Sequence, residues 1–167
     1  MMAGTSYCQP IFNIGGGQRF ILQNVESGEY LSAVSNNPVK QVGYSSTDQR
    51  LWFTYDTSTM RITSTSNNLC LDDLYNGYSS QSSTGDTLGL TSCSSSPTQQ
   101  FAYQPSTSYL LNPNNQYDKC IDGNPSYPAL YVWYCPDGIQ NHQWAVIPVC
   151  SPGEVCWLFL ESLNCHE

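Results

Sequence analysis

Residues 70–101 read CLDDLYNGYSSQSSTGDTLGLTSCSSSPTQQF, and residues 120–144 read CIDGNPSYPALYVWYCPDGIQNHQW. Each segment opens on a cysteine, an aliphatic residue and an aspartate, and runs through an alternating stretch to a second cysteine. Each then closes on polar residues that include a glutamine and end in an aromatic residue. Two ordered copies of one pattern indicate an internal repeat, and a repeat constrains the architecture more strongly than any single motif does.

A weaker third copy precedes these two segments. It runs from Phe20-Ile21-Leu22-Gln23-Asn24 through Tyr30-Leu31-Ser32 and closes near Gln49-Arg50-Leu51-Trp52. No single unit is long enough to bury its apolar face alone, so the three units are predicted to share one core. The division predicted from the repeat is an N-terminal arm (1–16), three units (about 17–57, 58–105 and 106–148) that form one domain over 17–148, and a C-terminal tail (149–167).

The alternation of apolar and polar residues predicts an all-β fold of about twelve short strands. Turn-rich stretches such as 35–38 and 113–115 separate these strands, and helical periodicity is hard to find. The predicted strands include Arg50–Tyr55, Gln99–Tyr103 and Gln143–Ile147.

Composition and charge narrow the choice of partners. A chain of 167 residues suits one domain; only 11% of its residues are charged and 13% are aromatic. Its net charge of −8 disfavours phosphate backbones and anionic membrane surfaces, which bind clustered Lys and Arg. Nucleic acid is therefore excluded as a partner. No membrane span is predicted, because the longest apolar run, 155–160, is far shorter than a bilayer crossing requires.

The chain has eight cysteines and no Cys-x-x-Cys or His-spaced metal pattern. Disulfides are therefore favoured over zinc, and no metal or cofactor is predicted. Because disulfides persist in oxidising compartments, we expect a secreted or extracellular protein. Residues 1–10 lack the basic and apolar regions of a signal peptide, so this expectation rests on the cysteines.

The ordered set Cys70-Leu71-Asp72, Gly85 to Cys93 and Gln99-x-Phe101 resembles the ricin-B (R-type) lectin repeat, and the resemblance covers about residues 17–148. It implies a β-trefoil, in which six strands close a barrel and three hairpins cap it, with disulfides Cys70–Cys93 and Cys120–Cys135. In the first repeat, tyrosines stand at the corresponding places, Tyr30 and Tyr44. Four cysteines are left with three open pairings: Cys8, Cys150, Cys156 and Cys165.

The resemblance also implies a sugar site made of an aspartate two residues after the first cysteine, an aromatic residue two before the second, and an asparagine before the closing glutamine. The third repeat has all three, as Asp122, Trp133 and Asn141. Tyr131 lies on the same strand face as Trp133, and His142 replaces the usual glutamine. These five residues are the predicted ligand-binding set. The alternative is that Trp133 belongs to the core and Asp122 to a turn.

The second repeat keeps Asp72 but has Thr91 in the aromatic place and Thr98 in the asparagine place. Asp72 is therefore a weaker ligand-binding candidate, and a turn role, with bonds to nearby backbone amides, is favoured for it. Phe101 and Trp144, which close the second and third repeats, are predicted core residues.

The first repeat is expected to act as scaffold. It has Ser32 in the aspartate place and Gln49 in the asparagine place, and its aromatic residue, with Tyr44 as one candidate, is left open. Either Leu51 or Trp52 is expected to be its closing core residue, since a slip of one residue exchanges buried and exposed faces.

The resemblance implies a non-enzymatic lectin for galactose or N-acetylgalactosamine on glycans or glycoproteins, with a defence or toxin-associated role. The alternatives are a trefoil that acts through protein surfaces, such as a protease inhibitor, and the targeting module of a larger enzyme or toxin. Neither histidine, His142 or His166, lies in a recognised catalytic setting. One dominant site per chain is expected, so strong agglutination would require a homo-oligomer or a second active repeat.

Overall fold

The computed structural model describes residues 17–74, 85–113, 119–135, 138–151 and 154–155. These residues form three successive units, each with four strands and a one-turn 3-10 helix before its last strand. The first unit comprises β1 (Phe20–Asn24), β2 (Tyr30–Ser32), β3 (Lys40–Val42), η1 (Gln49–Leu51) and β4 (Phe53–Asp56).

The other two units repeat this order. The second comprises β5 (Arg61–Ser64), β6 (Leu69–Leu74), β7 (Asp86–Ser92), η2 (Pro97–Gln99) and β8 (Ala102–Gln104). The third comprises β9 (Tyr109–Asn112), β10 (Lys119–Asp122), β11 (Tyr131–Tyr134), η3 (Gln140–His142) and β12 (Trp144–Ser151), and a short strand β13 (Glu154–Val155) pairs with β12.

The three 3-10 helices correct the predicted strand bounds. The strand expected from Arg50 starts at Phe53, the one expected from Gln99 starts at Ala102, and the one expected from Gln143 starts at Trp144. In the first two units a capping side chain explains the helix. The Asp48 carboxylate accepts from Arg50 N, and the Ser96 hydroxyl accepts from Thr98 N. Such local side-chain bonds compete with extended backbone, and a strand pattern alone does not show them.

Six strands form the barrel. Strand β1 pairs with β12 along its whole length and with β4 at Phe20, β4 pairs with β5, and β8 pairs with β9. Backbone bonds join the remaining neighbours: Phe101 N donates to Met60 O and Trp144 N donates to Ser108 O, each at 2.8 Å. The N-terminal strand and the last barrel strand thereby close the ring of the predicted β-trefoil.

Three hairpins, β2–β3, β6–β7 and β10–β11, form the cap. They meet at a cyclic set of backbone hydrogen bonds. Val39 N donates to Leu88 O (2.9 Å), Leu88 N to Leu130 O (3.1 Å) and Leu130 N to Val39 O (2.8 Å). All three side chains are fully buried. These equivalent residues mark the pseudo-threefold axis and lock each hairpin to the next.

The core corrects the expected alignment of the first repeat. Phe53, Phe101 and Trp144 each follow a 3-10 helix by two residues and lie together, fully buried, in the main core. Phe53 is therefore the closing residue of the first repeat. Leu51 and Trp52 are also buried, but in a separate cluster with Ile21 and Val149. The expectation of Leu51 or Trp52 as counterpart was wrong by one or two residues.

Both predicted disulfides are present. Cys70–Cys93 closes the base of hairpin β6–β7, and Cys120–Cys135 closes that of β10–β11. In hairpin β2–β3 the rings of Tyr30 and Tyr44 pack with centroids 5.2 Å apart, so an aromatic contact takes the place of a disulfide. Cys8, the side chain of Cys150, Cys156 and Cys165 lie outside the described residues.

Candidate functional site

Three of the predicted site residues share the outer face of hairpin β10–β11. Asp122 lies directly opposite Tyr131, and Cys120 lies opposite Trp133. Residues opposite each other in an antiparallel pair point to the same side, as do residues two apart. Asp122, Tyr131 and Trp133 are therefore on one face, and each is partly exposed. The intervening residues Ile121 and Val132 point inward and are fully buried.

The indole of Trp133 lies across Gly85, the residue before β7. A Cβ added at Gly85 would stand 2.5 Å from Trp133 Cε3, and Gly85 has a φ of +64°. Glycine is favoured there both by the left-handed backbone and by the close approach of the ring. Trp133 belongs to neither buried cluster, so the alternative of a core role for Trp133 does not hold. The alternative turn role of Asp122 does have support, because its carboxylate accepts from Asn124 N.

The carboxylate of Asp122 has one engaged oxygen and one available oxygen. Oδ1 accepts from Asn124 N (3.0 Å) and from Asn141 Nδ2 (2.6 Å). Oδ2 lies 3.6 Å from His142 Nε2, a separation too long for a hydrogen bond. The Asp122 side chain is 15% exposed. The carboxylate is thus held in position through Oδ1, while Oδ2 retains its capacity to accept from a ligand hydroxyl.

Helix η3 places Asn141 and His142 beneath Asp122. The Asn141 carbonyl accepts from Gly123 N and from Asn24 Nδ2, each at 2.8 Å, which ties the helix to β10 and β1. Its side-chain Oδ1 is buried and has no hydrogen-bond partner among the described residues. Glycine is required at position 123, because a Cβ there would stand 2.4 Å from Asn24 Nδ2. The structure therefore brings all five predicted residues of the third repeat together.

The second repeat has the same frame, but a threonine stands in the aromatic place and one oxygen of its carboxylate is held by side chains. Thr91 lies opposite Cys70, in the place of Trp133. Asp72 Oδ2 accepts from the Thr91 hydroxyl and from Gln99 Nε2, the latter at 3.0 Å. Asp72 lies inside β6, so the predicted turn role was wrong. Two side chains hold its Oδ2, and in the described part of this hairpin Thr91 offers no aromatic face.

The first repeat lacks both parts of the site. Val42 lies opposite Tyr30, in the place of Trp133, so Tyr44 takes the place of the second cysteine. Ala33 N donates to Arg50 O at 2.8 Å, as Gly123 N does to Asn141 O. Arg50, rather than Gln49, is therefore the counterpart of Asn141. Its guanidinium pairs with Asp48 at 2.8 Å.

A buried cluster of charged residues on β6, β7 and β10 was not predicted from the sequence. Asp73 is 2% exposed and its Oδ1 has no hydrogen-bond partner in the described part of the chain. The Lys119 ammonium pairs with the Asp86 carboxylate nearby. Burial, reinforced by the charges of Asp86 and Asp72 and opposed by Lys119, raises the pKa of Asp73 to about 7. The sequence does contain one sign of this cluster: side chains alternate between the two faces of β6, and this alternation turns Asp73 inward.

The described residues contain neither a candidate metal site nor a helix that could cross a membrane. No group of three or more His, Cys, Asp or Glu side chains is arranged to hold a metal ion. Over the same ranges, no helix has the length and apolar character needed to span a bilayer.

The fold and the two disulfide-closed hairpins define a β-trefoil of three unequal repeats, and comparisons identify its family. Residues 18–144 match the ricin-type beta-trefoil lectin domain. The chain therefore belongs to the ricin-type β-trefoil lectin family, a family of carbohydrate-binding domains that are usually non-catalytic. A search of curated proteins found no match.

Solved structures support the same fold. A non-toxic homologue of type II RIPs from Momordica charantia (bitter gourd), in complex with α-methyl-D-galactoside, aligns with a TM-score of 0.65 and 15% identity. That match covers 80% of this chain and 49% of the other, so this chain spans about half the length of that protein. The designed threefold-symmetric protein ThreeFoil aligns at 0.61 with 18% identity, over 77% of this chain and 96% of that one. The C-half of an earthworm R-type lectin in complex with GalNAc aligns at 0.59 with 11% identity, over 78% and 98%.

Proposed function

We propose that the third repeat binds a single sugar ring between Trp133 and Asp122. The observation that carries the proposal is the shared face of hairpin β10–β11, where a partly exposed indole accompanies a carboxylate with one unengaged oxygen. An aromatic face packs against the C–H side of a pyranose, while a fixed carboxylate accepts from its hydroxyls. Asn141 supports the site from below, since its Nδ2 donates to Asp122 Oδ1 and holds the carboxylate in place.

Galactose or N-acetylgalactosamine is the proposed sugar class. The bitter gourd homologue holds a methyl galactoside and the earthworm lectin holds GalNAc. A pyranose with one axial hydroxyl has a continuous C–H patch on one face, which suits stacking on Trp133. The proposed role is that of a non-enzymatic, extracellular lectin that recognises glycans or glycoproteins. The two disulfides support the extracellular location, because they persist in oxidising compartments.

Calorimetric titration with α-methyl-D-galactoside tests the proposal. Trp133→Ala should abolish detectable binding by removing the stacking face, and Asp122→Ala should do so by removing the charged acceptor, a loss of roughly 1.5–3 kcal/mol. Asp72→Asn is the matched control: its carboxylate occupies the same place in the second repeat, so this variant should still bind. Thermal melts of all three show whether the fold persists. Retained binding in both site variants would contradict the proposal.

A pair of glycine variants tests the position of the indole. Gly85→Ala adds a methyl group that overlaps Trp133, whereas Gly28→Ala has the same left-handed strain, with a φ of +70° and no atom nearer than 3.9 Å. The left-handed backbone alone should cost each variant roughly 1–2 kcal/mol of stability, and the overlap with Trp133 should add to the cost of Gly85→Ala. Only Gly85→Ala should weaken galactoside binding, and an equal affinity for the two variants would mean that the indole does not contact the sugar.

A further inference from the structure

The third repeat has His142 behind its carboxylate, where the second repeat has a glutamine. This glutamine, Gln99, donates from Nε2 to Asp72 Oδ2 (3.0 Å), to the Thr91 hydroxyl (2.8 Å) and to Ser92 O (3.0 Å). An amide donates in the same way at every pH. In the third repeat an imidazole takes that place, so the donor behind the carboxylate becomes a titratable group.

The imidazole of His142 is buried and makes no hydrogen bond within the described part of the chain. His142 is 2% exposed, and neither of its ring nitrogens has a hydrogen-bond partner among the described residues. Its Nε2 faces Asp122 Oδ2 across 3.6 Å. Buried polar groups are nearly always paired, so two unpaired nitrogens beside an unengaged carboxylate oxygen require an explanation.

Among the described residues, few other ionisable groups face this ring. Strand β10 contributes Asp122, and β9 contributes Tyr109, whose ring lies edge-on at 6.2 Å. Strand β1, which also packs against η3, has the sequence FILQN and no titratable side chain. A phenol is uncharged between pH 5 and pH 8, so the charge of His142 acts chiefly on the Asp122 carboxylate.

We infer that His142 makes sugar binding at Asp122 sensitive to acid, so that the site binds its ligand at neutral pH and releases it on mild acidification. This inference rests on the proposed function. Imidazole changes charge in the range where no other unperturbed side chain does. A neutral His142 leaves Oδ2 as a charged acceptor for a sugar hydroxyl. When the ring takes up one proton, its Nε2–H donates to Oδ2 and offsets the carboxylate charge, which weakens the bond to the hydroxyl.

The test is calorimetric titration of α-methyl-D-galactoside between about pH 5 and about pH 8. The wild-type affinity should fall about five- to tenfold across this range. His142→Gln restores the amide of the second repeat, so its affinity at the acid end should be within about twofold of its own value at the neutral end. Parallel pH profiles for the two proteins would overturn the inference. Absence of wild-type binding at every pH would instead overturn the proposed function.

Two further measurements keep the test decisive if His142→Gln does not fold. Wild-type titrations near pH 6 in buffers of different ionisation enthalpy should show that binding releases protons, since ligand and proton compete at Asp122. Binding without proton release would contradict the inference.

Asp73→Asn is the matched control for the other titratable group near this hairpin. It should retain the wild-type pH profile, and loss of the profile in this variant would assign the effect to Asp73 instead.

Discussion

Asp73 and Asp122 are carboxylates on neighbouring hairpins whose surroundings give them different chemistry. Asp122 lies on the outer face, and two donors hold one of its oxygens. Asp73 lies on the inner face of β6 with Asp86 and Lys119, and burial raises its pKa to about 7. Burial and the neighbouring carboxylates of Asp86 and Asp72 favour the protonated form of Asp73, so this side chain is expected to be largely neutral in mild acid.

The raised pKa of Asp73 predicts how stability depends on pH. Because the folded protein binds this proton more tightly than the unfolded chain, the stabilisation is complete below the unfolded pKa near 4 and is lost as pH rises through about 7. Asp73→Asn carries no charge at any pH. The variant should therefore gain on the order of 1–3 kcal/mol relative to wild type between pH 5 and pH 8. Urea unfolding at the two pH values measures this difference, and a constant difference would mean that Asp73 does not titrate in this range.

The three hairpins are closed at their bases in two different ways. Hairpins β6–β7 and β10–β11 are closed by disulfides, whereas β2–β3 is closed by the packing of Tyr30 on Tyr44. Trp133 lies two residues before Cys135 and opposite Cys120. The Cys120–Cys135 disulfide is therefore also the covalent base of the proposed binding face, whereas the Cys70–Cys93 disulfide closes a hairpin that has Thr91 in the aromatic place.

Removal of either disulfide should lower stability, but only removal of Cys120–Cys135 should also weaken sugar binding. Replacing both cysteines of a pair with serine should cost about 3 kcal/mol, because each bond closes a loop of similar length in the unfolded chain. The pair Cys120→Ser with Cys135→Ser should also weaken galactoside binding, since it frees the base of β10–β11. The pair Cys70→Ser with Cys93→Ser should not. Chemical denaturation and calorimetry decide the matter, and equal effects on binding would show that the hairpin base does not position Trp133.

The whole molecule has threefold architecture with one proposed sugar site. The ring of backbone bonds among Val39, Leu88 and Leu130 relates the hairpins by symmetry. The chemistry has diverged: the first repeat has Ser32 in place of the aspartate, and the second has Thr91 in place of the aromatic residue. Symmetry in this molecule is thus a property of the backbone and core, and the three outer faces are free to differ.

One proposed sugar site predicts a binding stoichiometry near one galactoside per chain. If the affinity of that site is near millimolar, about 4 kcal/mol, useful binding to cells would have to come from several sites acting together. Titration at high ligand concentration gives the stoichiometry, and light scattering of the same sample gives the oligomeric state. A value near three would show that the first two repeats bind as well. Strong agglutination by a monomer would lead to the same conclusion.

The sequence by itself determined the repeat, the two disulfides and the third-repeat residues that the structure brings together. Each of these is a local signal: a cysteine, an aspartate and an aromatic residue at short spacing along one hairpin. Side chains alternate between the two faces of a strand, so residues two apart share a face. Asp122, Tyr131 and Trp133 therefore follow from spacing alone once β10 and β11 are paired, and Phe101 and Trp144 follow as core residues from the closing triplet.

Tertiary structure decided what depends on residues that are distant in sequence. The first repeat could not be aligned, because Leu51, Trp52 and Phe53 are all apolar and only the one-turn helix capped by Asp48 shows that Phe53 enters the shared core. The Asp73 cluster joins β6 to a lysine of the next repeat, and the approach of His142 to Asp122 depends on how η3 packs against β10. Burial and charge act across space, so the pKa of Asp73 and the unpaired imidazole have no counterpart in a linear pattern.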